Sequence, residues 1–328
     1  MKRVILATII VFTAIALNAQ TVDSLYIDAR GGFHQEGYGS EGDNRLELEY
    51  LNVQLWGKLT DNLTYRIRQR INNKMSGQDP FRSTDWLCLT WTPTPRLSLY
   101  AGKTAVLIGG YEYDSAPIDV YYYSQFVDNL RQYFAFSANA SYQLFQNQSF
   151  AVQVSNSPLT VGSNDLYAYS AAWMGRFAPW WHTLWSVNFV DDEYHRSINY
   201  IALGNHCVCG GLAVDVDLVN RASFQQEHFL LSDYSIITKL IWSIGKWNLC
   251  TKFGWEVNSG RNRDASGLAY DTIIAPGTNY LYGGCGVEYF PLGNDRVRLH
   301  AVVFNDNSDL RNIVEVGMKW RLDLVRSK

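Results

Sequence analysis

Three arginines occupy alternate positions in the run Thr64-Tyr65-Arg66-Ile67-Arg68-Gln69-Arg70. On a β-strand, alternate side chains leave the same face about 6.8 Å apart. Arg66, Arg68 and Arg70 would then form a ladder roughly 14 Å long, with Leu63, Tyr65, Ile67 and Ile71 on the opposite face. A guanidinium presents two parallel N–H donors, a fork that suits carboxylate and phosphate. On a wetted wall, such a ladder offsets the hydration that an anion loses on entering a narrow space. The plainer alternative is that these arginines solvate an inner wall or pair with acids. Lys103, Lys252, Arg298, Lys319 and Arg321 stand at corresponding positions of other alternating runs and are expected on the same wall. Lys58 and Lys239 are further candidates.

The acids that could answer the ladder lie in the long connection 108–132. It contains Glu112, Asp114, Asp119 and Asp128. It is also too aromatic for an ordinary exposed loop, and long ordered loops often carry function. If it folds inward, it sets an acidic strip against the arginines. The field would then run across the opening, with little anion preference. General passage of small polar solutes, preference for anions, and selectivity for phosphate are three separate expectations.

Other chemistry is thin. His34, His195 and His228 fall near the long connections, but no GxSxG or HExxH run accompanies them. No catalytic residue is expected. His206-Cys207-Val208-Cys209 lacks a second pair at metal-ligand spacing, so neither a metal nor a cofactor is expected. The five cysteines are an odd set in a large chain, which excludes a disulfide-stapled mini-domain. Cys88, Cys250 and Cys285 read as small strand residues. Cys207 and Cys209 are too close in sequence for an easy bridge.

The elements that must position these residues are strands. Residues 1–19 read as a secretory signal peptide: Lys2 and Arg3, an uncharged apolar run from Val4 to Leu17, then Asn18-Ala19. Residues 20–328 read as one domain, with period-two alternation almost throughout. In 247–257, Trp247, Leu249, Thr251, Phe253, Trp255 and Val257 share one face, and Asn248, Lys252 and Glu256 the other. Such runs predict about 16 strands, at 24–35, 45–59, 63–74, 85–92, 96–107, 133–145, 149–156, 165–177, 182–190, 197–204, 208–218, 233–244, 247–258, 279–290, 296–305 and 312–325. Connections after even strands are short, as at Thr60-Asp61-Asn62 and Gly245-Lys246. Those after odd strands are mostly longer: 36–44, 75–84, 108–132, 157–164, 219–232 and 259–278. Only the stretches 191–196 and 205–211 are indistinct. This parity predicts an all-β, transmembrane antiparallel barrel with periplasmic termini, and the aromatic content of its long third outer loop, 108–132, makes that loop the one expected to fold inward or pack against the rim. A barrel of about 16 strands is wide enough for an aqueous lumen.

Composition agrees. The chain is 14% aromatic, with 11 Trp and 21 Tyr, yet mean hydropathy is only −0.16. Alternating apolar and polar residues cancel in such an average. Trp91, Trp180, Trp181, Trp242, Trp247 and Trp320 fall near short turns or strand ends, where an interfacial girdle would sit. Without Lys2 and Arg3, 26 basic residues face 31 acidic ones. That excludes a strongly basic nucleic-acid binder.

Gly102-Lys103 and the stretch Tyr111-Glu112-Tyr113-Asp114-Ser115-Ala116-Pro117-Ile118-Asp119 carry a family resemblance. The chain resembles the phosphate-selective porin O and P family, in the form found in Bacteroidetes-type bacteria. There an Asn-Ala-Gln signal end is common. Residues 45–140 carry the resemblance well, and the rest follows by pattern. It implies a 16-stranded porin in the outer membrane of a Gram-negative bacterium, often a homotrimer, with an inward third loop and a basic lumen. The implied partners are small polar or anionic solutes, outer-membrane lipids and the barrel-assembly machinery. The resemblance does not fix the solute. The final Leu324-Val325-Arg326-Ser327-Lys328 departs from the terminal aromatic residue common in such barrels. The competing expectation is a non-transport barrel, structural or adhesive with a plugged lumen, or an enzyme with its site at the rim.

Overall fold

The computed structural model describes residues 21–38, 41–72, 81–162, 165–308 and 311–326. The expected signal peptide lies outside these residues. The described chain forms sixteen antiparallel strands in one closed barrel, each paired with its sequence neighbours, and β1 closing on β16. The strands are β1 (Thr21–Tyr38), β2 (Glu41–Thr60), β3 (Leu63–Arg70), β4 (Thr84–Thr94), β5 (Leu97–Ala105), β6 (Phe134–Phe145), β7 (Gln148–Asn156) and β8 (Tyr167–Ala178). They continue with β9 (Trp181–Asp191), β10 (Ser197–Cys209), β11 (Leu212–Ala222), β12 (Asp233–Ile244), β13 (Trp247–Asn258), β14 (Asn279–Tyr289), β15 (Val297–Asp306) and β16 (Arg311–Arg326). Closure leaves no unpaired sheet edge, which a bilayer would not tolerate.

The alternation sorts side chains as lipid requires. On β13, Trp247, Leu249, Phe253 and Trp255 are exposed, while Lys252, Gly254, Glu256 and Asn258 are buried. The outside is therefore the apolar face, the reverse of a soluble sandwich. Trp91, Trp180, Trp242 and Trp247 are exposed beside the short turns, as a girdle at a membrane interface would be. No described helix is long and apolar enough to cross a membrane.

All sixteen expected strands are present, in the expected order. Most margins differ by a residue or two, and three places differ more. The connection expected at 36–44 is mostly strand, because β1 and β2 pair as far as Tyr38 and Glu41. Gly42, Asp43, Asn44 and Arg45 are all exposed there, so the sequence shows no alternation to mark a strand. β3 ends at Arg70, short of the expected residue 74. The indistinct stretch 205–211 resolves as the end of β10, to Cys209, and a two-residue turn at Gly210-Gly211, with Gly210 at φ +59°; β11 accordingly runs Leu212–Ala222 rather than 208–218, so the connection expected at 219–232 begins after residue 222.

Between β5 and β6 the chain enters the barrel. It carries helix α1 (Tyr111–Asp114), a 3-10 turn (Pro117–Asp119) and helix α2 (Gln125–Asp128). Val106, Ile108, Phe126 and Val127 join Tyr200 and Val219 of the wall in a buried cluster. Ile273 and Ile274, from the connection 259–278, complete it. The segment lies close to the wall because glycines meet there. A Cβ on Gly204 would come within 2.8 Å of Gly110 Cα.

Candidate functional site

The segment 106–133 is pinned by charged side chains from strands far away in sequence. Asp217 of β11 accepts from the backbone N–H groups of Tyr111 and Glu112, both at 2.8 Å. Glu256 of β13 accepts from Gln125 N at 2.6 Å and Phe126 N at 3.0 Å. Each carboxylate thus satisfies amides that a helix start leaves without intrahelical partners. Lys252 donates to Glu112 and to the Tyr122 carbonyl. Glu112 also accepts from Ser124 N at 2.9 Å and Ser124 Oγ at 2.6 Å. Asp119 takes Arg298 Nη2 and Lys319 Nζ, both at 2.6 Å. Arg30 of β1 donates to the carbonyls of Ile118 and Val120, at 3.0 and 2.8 Å.

These contacts divide the expected basic wall in two. Lys252, Arg298 and Lys319 hold the inward segment, so their charges are met by Glu112 and Asp119. Lys103 donates to the Phe81 carbonyl at 2.6 Å. Arg321 sits at the short-turn end, 2.8 Å from Asp323 and over the Tyr26 ring. Asp128 is exposed. None of the segment's acids forms an ion pair with the arginine ladder among the described residues.

The ladder stands apart. Arg68 and Arg70 share a single carboxylate, Asp85 of β4, at 2.8 and 2.9 Å. Arg66 has no carboxylate within ion-pair distance among the described residues. Its guanidinium lies 4.3 Å from the centre of the Trp86 ring. Arg66 Nε and Arg68 Nη2 are buried without a hydrogen-bond partner. Both residues line a cavity of about 590 Å³ with Trp86, Tyr100, Tyr133 and Asp114. Arg70 lines a second cavity of about 380 Å³, with Glu49, Tyr50 and Asn72. The three rungs therefore run from one cavity to the other past the inward segment. Elsewhere the interior holds two apolar clusters, one around Phe126 and Tyr200 and a second of Tyr122, Tyr280, Tyr282 and Phe304, and a cavity of about 270 Å³ beside Glu112, Asp119, Lys239, Lys252 and Arg298.

Sequence reasoning placed the rungs and missed their counter-charge. Asp85 is one acid at the edge of a strand, with nothing in the sequence to link it to residues 68 and 70. Arg30, Asp217 and Glu256 were missed for the same reason: each acts on chain 88 to 131 residues away. Their only signal was a charge on the polar face of an alternating run. His206, next to Cys207 in the sequence, is held by Asp215 at 2.5 Å. All five cysteines are free.

With this geometry in place, comparison with known proteins is informative. The family model described as phosphate-selective porin O and P matches residues 28–183. That span contains the ladder and the inward segment, and extends the resemblance beyond residues 45–140. No curated protein matches the chain. Among solved structures, the chain is similar to a loop L8 deletion mutant of OmpT, an outer membrane protein of Vibrio cholerae. The TM-score is 0.59 at 11% identity, over 92% of this chain and 99% of that one. A mutant of Rh. blastica porin superposes with TM-score 0.57 at 14% identity, over 92% of this chain and 100% of that one. At such identities the structures show a shared fold. Family match and fold together support an outer-membrane porin channel, and point to a channel rather than an enzyme.

Proposed function

We propose that this porin passes small polar solutes across the outer membrane by passive diffusion, with a preference for anions. The observation that carries the preference is the uneven pairing of the ladder. Three guanidiniums face one carboxylate in contact, while Glu112 and Asp119 are engaged by the opposite wall. Asp114 lines the same 590 Å³ cavity, so with Asp85 two carboxylates stand against the three guanidiniums and one positive charge is in excess. An ion pair within a low-dielectric wall holds its own charges, and only the unmatched ones act on a passing ion. Oxyanions such as phosphate suit the guanidinium of Arg66, which is half-buried and has no carboxylate partner among the described residues, because a fork donates in parallel.

The reversal potential under a salt gradient tests this reading. Wild-type protein in a planar bilayer should favour the anion. Replacing Arg66, Arg68 and Arg70 together by Ala should move the reversal potential toward the cation, and an unchanged value refutes the ladder's role. Added phosphate should compete with chloride in the wild type and less in the triple variant. The apolar packing around the inward segment favours a second reading, a sealed barrel. A channel silent in repeated bilayer recordings would select it. Removal of the signal peptide, periplasmic termini and a homotrimeric assembly complete the proposal.

A further inference from the structure

Beside the outer end of the ladder lies a cluster that the channel reading does not use. His34 of β1 faces Glu315 of β16 directly across the strand pair. Glu49 of β2, on the other side of β1, comes close to both. It is the extra residue of a β-bulge, since Arg30 pairs with Tyr50 and Gly31 with Leu48. A bulge re-aims a side chain that regular pairing would send elsewhere. The ligand atoms of His34, Glu49 and Glu315 lie within 4.8 Å of one another.

The charges of this cluster do not balance. Arg30 donates to Glu49 and stands 3.8 Å from Glu315. His300 Nε2 holds the same Glu315 oxygen, Oε1, at 2.7 Å. Arg30 holds Glu49 through Oε2, so Glu49 Oε1 and Glu315 Oε2 are the oxygens that these donors leave. Two facing carboxylates with one guanidinium need a further positive charge, either a proton or a cation. Glu36 and Glu47, each 3.9 Å from the His34 ring, are matched by Arg311 and Arg45, so they leave the imbalance at Glu49 and Glu315 unchanged. His34 Nδ1 is buried without a hydrogen-bond partner.

We propose that His34, Glu49 and Glu315 bind one divalent transition-metal cation of the zinc type. One imidazole and two carboxylates form a three-ligand set that leaves a fourth position open to water or solute. With metal–ligand bonds of about 2.0–2.2 Å, tetrahedral ligands sit roughly 3.3 Å apart. The side chains therefore close by about 1.5 Å or less on binding. Support for the set is present, because His300 and Arg30 already orient the carboxylates.

The test uses full-length protein folded in detergent, stripped with EDTA and desalted. Zinc ion is then titrated and the bound metal counted. We expect one zinc per chain, with an X-ray absorption spectrum of mixed nitrogen and oxygen ligation. His34→Ala should weaken binding at least ~10-fold, since loss of even an outer partner costs ~10–100-fold. His182→Ala should leave binding unchanged. His34→Gln serves the same purpose if the alanine variant does not fold. Failure to retain zinc, or equal binding by the His34 variant, overturns the proposal and leaves a shared proton between the two carboxylates. The count of bound metal is independent of conductance, so it stands or falls apart from the channel reading.

Discussion

At the residue scale, the inner wall is organised by which charges are matched. Lys252 and Glu112 are both buried, and each holds a different part of the inward segment. Breaking a buried pair from one side leaves an uncompensated charge, which costs far more than the pair itself contributes. Glu112→Gln keeps a carbonyl acceptor for Ser124 but leaves the ammonium of Lys252 unmatched. The expected loss is about 3 kcal/mol, read as a lower unfolding temperature and faster hydrogen exchange across residues 111–129. An unchanged melting temperature would mean that the pair contributes little. Arg66 is the contrasting case, with its charge on the Trp86 face and no carboxylate in contact among the described residues. Its removal should alter selectivity rather than stability.

At the element scale, the inward segment and the connection 259–278 meet inside the mouth of the barrel. Asn129 donates to the Ile273 carbonyl at 2.8 Å, and Arg221 ties Asp271 to β11 at 2.9 Å. The exposed tip of that connection is a small hydrogen-bonded turn. Asp264 accepts from Ser266 Oγ, Ser266 N and Leu268 N, and pairs with Arg196. The Ser266 hydroxyl first, with the two backbone amides and Arg196, holds the Asp264 carboxyl down to about 2. A carboxyl whose folded value is depressed stabilises the fold above its unfolded value and loses that effect as pH falls through the folded one. The turn should therefore stay protected from pH 7 to about 4 and loosen as pH approaches 2. Protection factors for the Ser266 and Leu268 amides, corrected for intrinsic exchange, measure this. Asp264→Asn should show the loosened turn at every pH. Gly102 acts on the same scale at the start of the inward segment. It sits at φ +130°, and a Cβ there would fall 2.2 Å from the Leu87 carbonyl oxygen. The Gly102-Lys103 step that carries part of the family resemblance thus has a backbone reason.

At the scale of the whole molecule, closure links the ends of the chain. β1 and β16 pair from Ser24–Arg326 to Tyr38–Arg311, so the barrel cannot open at one strand without losing a full ladder of hydrogen bonds. Such a barrel should remain folded in mild detergent until heated, running at a different apparent mass on gels before and after boiling. A species that runs identically in both conditions, with no β signal by circular dichroism, would refute the barrel. The outward aromatic belt ties that stability to lipid or detergent, because Trp242, Trp247, Phe253 and Leu249 have no protein partner layer on their exposed face.

The strand count, order and facing were legible in the sequence because a barrel in lipid imposes one rule on every strand: apolar outward, polar inward. Runs such as 247–257 and the Arg66–Arg68–Arg70 alternation express that rule locally, with no reference to distant residues. The margins failed where the rule lapses, as at 36–44, where successive residues Gly42, Asp43 and Asn44 of β2 are all exposed. What the inner wall does was decided only by the tertiary structure. Period two places Arg66, Lys252 and Arg298 alike on the lumen face. It cannot say that Lys252 and Arg298 meet the acids of an inward segment while Arg66 meets none. Those partners are brought together by barrel closure and by a long connection folding back, and neither leaves a periodic trace in the sequence.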